Sequence, residues 1–111
     1  MDYIIEDIGT VAVVRFDGDL GGGDDADLKR LFVQLRQDGK TNVVADMSKV
    51  KFMDSTVIGL FVWGMKNLRE VGGDWRMCGL SGAVLKIFEI THLDRAFRIF
   101  HSEAEAVESL G

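Results

Sequence analysis

Apolar positions along the chain switch between two periods. Tyr3-Ile4-Ile5 and Val11-Ala12-Val13-Val14-Arg15-Phe16 are β-branched and aromatic runs flanking Asp7-Ile8-Gly9-Thr10, where Gly9 suits a turn, so they predict a hairpin. The second run is apolar at nearly every position, as expected of a strand covered on both faces. Asp17-Gly18-Asp19-Leu20-Gly21-Gly22-Gly23 is a loop by composition. A helix is predicted from about Asp24. There Leu28, Leu31, Phe32 and Leu35 repeat at helical spacing, acids fill the first turn where the helix dipole favours them, and Gly39 stands as a stop.

Asn42-Val43-Val44-Ala45-Asp46-Met47 reads as a buried strand, followed by a long helix from about Asp54 to Val71 that Gly72-Gly73 ends. Trp75 to Leu80 reads as the next strand, Ser81 as the cap of a helix carrying Val84, Leu85, Ile87 and Phe88, and Phe97 to Phe100 as a short strand. Ser102-Glu103-Ala104-Glu105 is a capping box that opens a last helix. The order ββαβαβαβα predicts an α/β fold: one domain over residues 1–111, with a mixed sheet of about five strands and about four helices packed against it.

Composition narrows the function. The chain has 111 residues, 13 glycines, no proline and a net charge of −5. No apolar run reaches the ~18 residues of a membrane-spanning helix, and the first residues lack the basic start of a signal peptide. A cytoplasmic protein without direct membrane insertion is expected. Residues 1–28 hold eight of the 18 acids and one of the 13 bases, Arg15, so the acidity is concentrated there and the rest is nearly balanced. No dense basic face exists for nucleic acid.

The constellations of the common enzymes are absent. There is no phosphate loop of the GxxxxGK[ST] type, no HExxH and no GxSxG, and the Gly21-Gly22-Gly23 run does not fit a dinucleotide fingerprint. An EF-hand alignment from Asp17 puts Leu28 where the bidentate Glu belongs. His92 and His101 read as surface or edge residues, and Cys78 as a small buried hydrophobe. No catalytic residue, metal or cofactor is expected.

The informative stretch is Asp54-Ser55-Thr56-Val57-Ile58-Gly59, which follows a buried strand and a short turn. It sets Ser55 at the mouth of a helix dipole. At 100° per residue, Val57, Leu60, Phe61, Gly64, Met65, Leu68 and Val71 form the core stripe of this helix. Ser55, Gly59, Val62, Trp63, Lys66 and Glu70 fall opposite. A tryptophan on an outer face is either a docking residue or tucked under a neighbouring helix.

With the Gly72-Gly73 stop and Leu80-Ser81-Gly82-Ala83-Val84, this stretch resembles a STAS domain of the small, stand-alone bacterial anti-sigma factor antagonist type. The resemblance covers essentially the whole chain. The family signature is commonly Asp-Ser-Ser/Thr-Gly-Leu-Gly. Asp54, Ser55, Thr56 and Gly59 match it, Ile58 stands for Leu, and Val57 replaces a glycine. The family often has Gly-x-Leu-Asp after the second strand, where this chain has Gly18-Asp19-Leu20-Gly21.

The resemblance implies partner switching: binding to an anti-sigma factor that is also a serine kinase, phosphorylation of the serine after the conserved Asp, and reversal by a serine phosphatase. Carried onto this chain, the acceptor is Ser55, with Thr56 next in line. The partner-binding residues are Asp19, Asp54, Ser55, Thr56, Val57, Gly59, Val62 and Trp63. In this reading Val57 stands beside the acceptor, where it affects kinase access. Nothing demands more than a monomer or weak homodimer. The alternative is a STAS-type interaction subunit that is never phosphorylated, such as that of a lipid-transport ABC complex, with Ser55 chiefly a helix cap.

Overall fold

The computed structural model describes residues 1–111. Strands β1 (Asp2–Ile8), β2 (Val11–Asp17), β3 (Asn42–Lys49), β4 (Asp74–Cys78) and β5 (Ile99–Phe100) alternate, after the hairpin, with helices α1 (Asp25–Gln37), α2 (Ser55–Glu70), α3 (Gly82–Ile90) and α4 (Glu103–Leu110). The strands form one mixed sheet in the order β1-β2-β3-β4-β5. β1 runs antiparallel to β2, and the other neighbours are parallel. The expected α/β architecture is borne out.

Strand order explains the layers. Crossovers between parallel strands are right-handed, so an order that runs from β2 to β5 without reversal puts α1, α2 and α3 on one face. α4 comes after the last strand and covers the other. The side chains of β2 alternate accordingly. Ala12, Val14 and Phe16 join the large core under α1–α3, while Val11 and Val13 join a smaller core with Val44, Cys78 and Ala106 under α4. This is why β2 is apolar at nearly every position.

Trp75 anchors the large core. It is packed by Phe32 at 4.5 Å and Phe61 at 5.2 Å between ring centroids. Arg15, the one base of the acidic quarter, holds α4 to the hairpin. It donates to both carboxylate oxygens of Glu103 at 2.9 and 2.6 Å and to Glu6 at 2.7 Å.

Several boundaries differ from those expected. β1 reaches Ile8, because the turn is only Gly9-Thr10, with Gly9 at φ 61°. β4 ends at Cys78, because Gly79 takes φ 74°. β5 begins at Ile99, and Phe97 packs instead on Phe88 at 5.7 Å. Val71 belongs to the end of α2 and is exposed, not part of the core stripe. Ser81 occupies the N-cap position of α3 without a side-chain cap bond. Ser102 does cap α4, its hydroxyl accepting from the Glu105 N–H at 3.2 Å.

The carboxyl ends of the parallel strands lie on one rim of the sheet. The β2–α1, β3–α2 and β4–α3 loops therefore gather where α2 begins. In an open α/β sheet this is the rim that carries binding sites.

Candidate functional site at the start of α2

Two loops are zipped together under Ser55. The Leu20 N–H donates to the Phe52 carbonyl at 3.0 Å and the Asp54 N–H donates to the Leu20 carbonyl at 3.2 Å. These bonds form a one-residue parallel bridge between Leu20 and Met53. Asp19 closes the other side, its carboxylate accepting from the Lys51 N–H at 3.3 Å. The acidic β2–α1 loop is thus fixed beside the start of α2. Asp19 serves the loop backbone as well as facing solvent.

Asp54 is the hinge of this arrangement. One carboxylate oxygen accepts from the Val57 N–H at 2.9 Å, which caps α2, and the other accepts from the Gly22 N–H at 3.2 Å. Gly21, where the family often has an acid, lies against Asp54. A Cβ there would lie 3.0 Å from Asp54 Oδ2. The backbone of Gly21 donates to Asp24 at 2.9 Å instead. A shallow depression of about 200 Å³ remains between the glycines, Asp24, Asp54 and Thr56.

Ser55 is the first residue of α2 and is exposed, as is Thr56. Because Asp54 does the capping, Ser55 is not the cap that the alternative reading assigned to it. Of the first N–H groups of the helix, those of Asp54 and Val57 have partners. Those of Ser55 and Thr56 point out of the helix end beside the Ser55 hydroxyl. The site thus presents a free hydroxyl, two open N–H donors and the positive end of a 16-residue helix.

The remaining expected residues divide. Val57 is 1 % exposed and packs into the large core, so it offers no surface to a partner; its side chain points away from the acceptor. Gly59 is exposed, and a Cβ added to it would meet nothing within 4 Å. Val62 is partly buried against the core. Trp63 realises both options at once. Its ring is edge-on to Phe32 at 6.0 Å, yet it is 38 % exposed along a groove between α1 and α2.

One residue was missed. Phe52 precedes the helix and is 53 % exposed beside Gly21 and Asp54. Its signal was an aromatic in a turn composed otherwise of Val, Lys, Met and Asp.

Cys78 and the histidines lie apart from this chemistry. Burial, with help from Asp46 and Glu103, pushes the Cys78 thiol up to about 12, which makes it inert at neutral pH. His92 and His101 are exposed. No group of His, Cys, Asp and Glu is arranged to hold a metal ion, and no helix is long and apolar enough to cross a membrane.

Comparison with known proteins agrees with this geometry. The STAS domain family model matches residues 2–106. An anti-sigma-B factor antagonist of Staphylococcus aureus (strain NCTC 8325 / PS 47) is 32 % identical over 80 residues, which span 72 % of this chain and 74 % of the relative. The crystal structure of an anti-sigma factor antagonist from Mycobacterium paratuberculosis superposes with a TM-score of 0.87 at 20 % identity, covering 98 % of this chain and 92 % of that one. The Bacillus cell fate determinant SpoIIAA in its phosphorylated form gives 0.75 at 21 % identity, covering 99 % and 100 %. With the family model spanning nearly its whole length and a relative 32 % identical over 72 % of it, the chain belongs to the STAS domain family.

Proposed function

We propose that this protein is an anti-sigma factor antagonist: a cytoplasmic binding module, without catalysis or cofactor of its own, whose docking to an anti-sigma factor is ended by phosphorylation of Ser55. The partner is itself a serine kinase, and a serine phosphatase restores the binding form. The observation that carries this reading is the division of labour at the start of α2. Asp54 caps the helix, so the exposed Ser55 hydroxyl is spared for modification. The name of the Staphylococcus aureus relative supports the class of partner.

The docking face runs along the outer side of α2 through Ser55, Thr56, Gly59, Val62 and Trp63, with Phe52 at its loop end. Asp19 and Asp54 shape its border. A phosphate on Ser55 adds about −1.5 to −2 charges at a helix N-terminus that welcomes an anion. Two open N–H groups stand ready for it, so the fold survives. The complex does not, because a desolvated, unpaired charge inside the interface costs several kcal/mol. That corresponds to roughly two to three orders of magnitude in affinity.

The test is incubation with the cognate anti-sigma kinase and ATP, followed by mass spectrometry of the peptides. The expected result is a single phosphate on Ser55. A phosphate on Thr56 alone would move the switch by one residue. No phosphate on either would overturn the switch and leave the unphosphorylated STAS-type subunit as the reading.

A further inference from the structure

β1 is an edge strand of seven residues, all of them exposed. Long edges are ordinarily blunted by charged side chains, lysine above all, by proline or by a bulge, because unpaired N–H and C=O groups invite another strand. β1 carries three acids, Asp2, Glu6 and Asp7, but none of the other devices. The chain contains no proline, the strand contains no lysine, and its pairing with β2 runs unbroken from Asp2–Asp17 to Ile8–Val11. Tyr3, Ile4, Ile5 and Ile8 are exposed on it, Ile4 by 63 %.

We propose that this edge pairs with the same edge of a second copy, antiparallel and centred on Ile5, joining two five-stranded sheets into one. The backbone limits where the two-fold axis can pass. A turn of two residues makes Ile8 and Val11 a mutually hydrogen-bonded pair. Alternation then points the N–H and C=O groups of Ile4 and Glu6 toward β2, and those of Tyr3, Ile5 and Asp7 outward. Outward groups must meet outward groups, so the axis passes through a residue and not between two.

Charge selects the residue. Centred on Ile5, Ile5 faces Ile5, Tyr3 faces Asp7, Ile4 faces Glu6 and Asp2 faces Ile8. All seven positions are paired and no acid opposes an acid. Moving the centre to Ile4 sets Asp2 against Glu6, and moving it to Glu6 sets that residue against itself. Like charges directly opposite are destabilising. Lys40 already bridges Asp7 within its own chain at 3.1 Å, so Asp7 comes to the seam with its charge matched.

Seven pairs bury less than the ~1,200 Å² of a standard interface, so the dimer is a weak one, with a Kd between about 10 µM and 1 mM. With −5 charges on each copy, association tightens as salt rises.

The experiment is sedimentation equilibrium of the full chain from about 10 µM to 1 mM, bracketing that range. The mass is expected to rise from 12.3 kDa toward twice that value. Ile5→Pro removes one outward N–H and no hairpin bond, so it is expected to keep the wild-type circular dichroism and remain monomeric. Oxidised Ile5→Cys is expected to yield a covalent dimer, since facing Cα atoms in such a pair are ~5.5 Å apart, within disulfide reach. Tyr3→Cys is expected to yield none, its two copies being four positions apart, and the buried Cys78 stays silent in both.

A monomer throughout the concentration range would overturn the proposal. So would a dimer that survives Ile5→Pro, or cross-linking through Tyr3→Cys. Should Ile5→Pro unfold, the contrast between the two cysteine variants still decides. None of these results depends on whether Ser55 is phosphorylated.

Discussion

Gly59 and Gly64 lie five residues apart in α2, and packing accounts for only one of them. A Cβ on Gly64 would overlap the Phe32 ring, so this glycine lets α1 and α2 approach. A Cβ on Gly59 would stand in open space. A glycine inside a helix costs about 0.8–1 kcal/mol relative to alanine. A cost kept without a packing reason fits a surface where a partner comes close. Gly59→Ala is therefore expected to raise stability by about 1 kcal/mol, a few degrees of Tm, while weakening the anti-sigma factor complex. Gly64→Ala is expected to lose roughly 1–3 kcal/mol by overpacking. Thermal melts and titration calorimetry on the two variants check this. Unchanged affinity in Gly59→Ala would remove that residue from the interface. Helical spacing already set Gly64 on the core stripe and Gly59 opposite it, but which ring Gly64 meets depends on α1, which spacing alone does not place.

At the scale of elements, the chain announced its strands and helices through clean changes of period. β2 could be read as covered on both faces from a run that is apolar at nearly every position, and β3 as a buried strand. Element ends were less legible, because single backbone angles set them: Gly79 stops β4 two residues early, and a two-residue turn lengthens β1. Long-range polar ties were not legible at all. Asp74, at the start of β4, is 7 % exposed and accepts from Arg69 at 2.7 Å, Arg76 at 3.0 Å and its neighbour's N–H at 2.9 Å. These contacts join the end of α2 to the sheet. Burial alone would raise the Asp74 pKa, but the two guanidinium groups and the Trp75 N–H overcome it and hold the carboxyl below its ordinary range. Its stabilising effect is therefore complete above the unfolded value of ~3.9 and is lost as pH falls through the lower folded value. Asp74→Asn is expected to cost about 2–3 kcal/mol at pH 7, and the gap from wild type should narrow below about pH 4. Urea titrations between neutral and acid pH measure this. A gap that stays constant with pH would mean that the carboxylate's charge is not what matters.

Across the whole molecule, function is divided by face and rim. The sheet and its two cores support three loops on one rim, and the acidic N-terminal quarter reaches that rim through its β2–α1 loop, tied to the start of α2 by the backbone bonds of Leu20 with Phe52 and Asp54 and by the Gly22 N–H donating to the Asp54 carboxylate. Asp24, Asp25 and Asp54 line the depression beside Thr56, so a further negative group on Ser55 adds to charge already there, while Glu6 and Asp7 lie away on β1, paired to Arg15 and Lys40. Ser55 and its helix were legible because N-terminal residue types cluster there. The inward turn of Val57 was legible too, from the helical core stripe, against the partner-binding role that the resemblance implied. The exposure of Phe52 was not, since it follows from how the loops close over the core. The central claim is that one phosphate changes occupancy and leaves the fold intact. Its most direct test is calorimetric titration of the anti-sigma kinase with the unmodified chain and with the Ser55-phosphorylated chain, each paired with a thermal melt. The account predicts affinity lower by roughly two to three orders of magnitude on phosphorylation, with Tm changed by only a few degrees. Equal affinity for the two forms would contradict it.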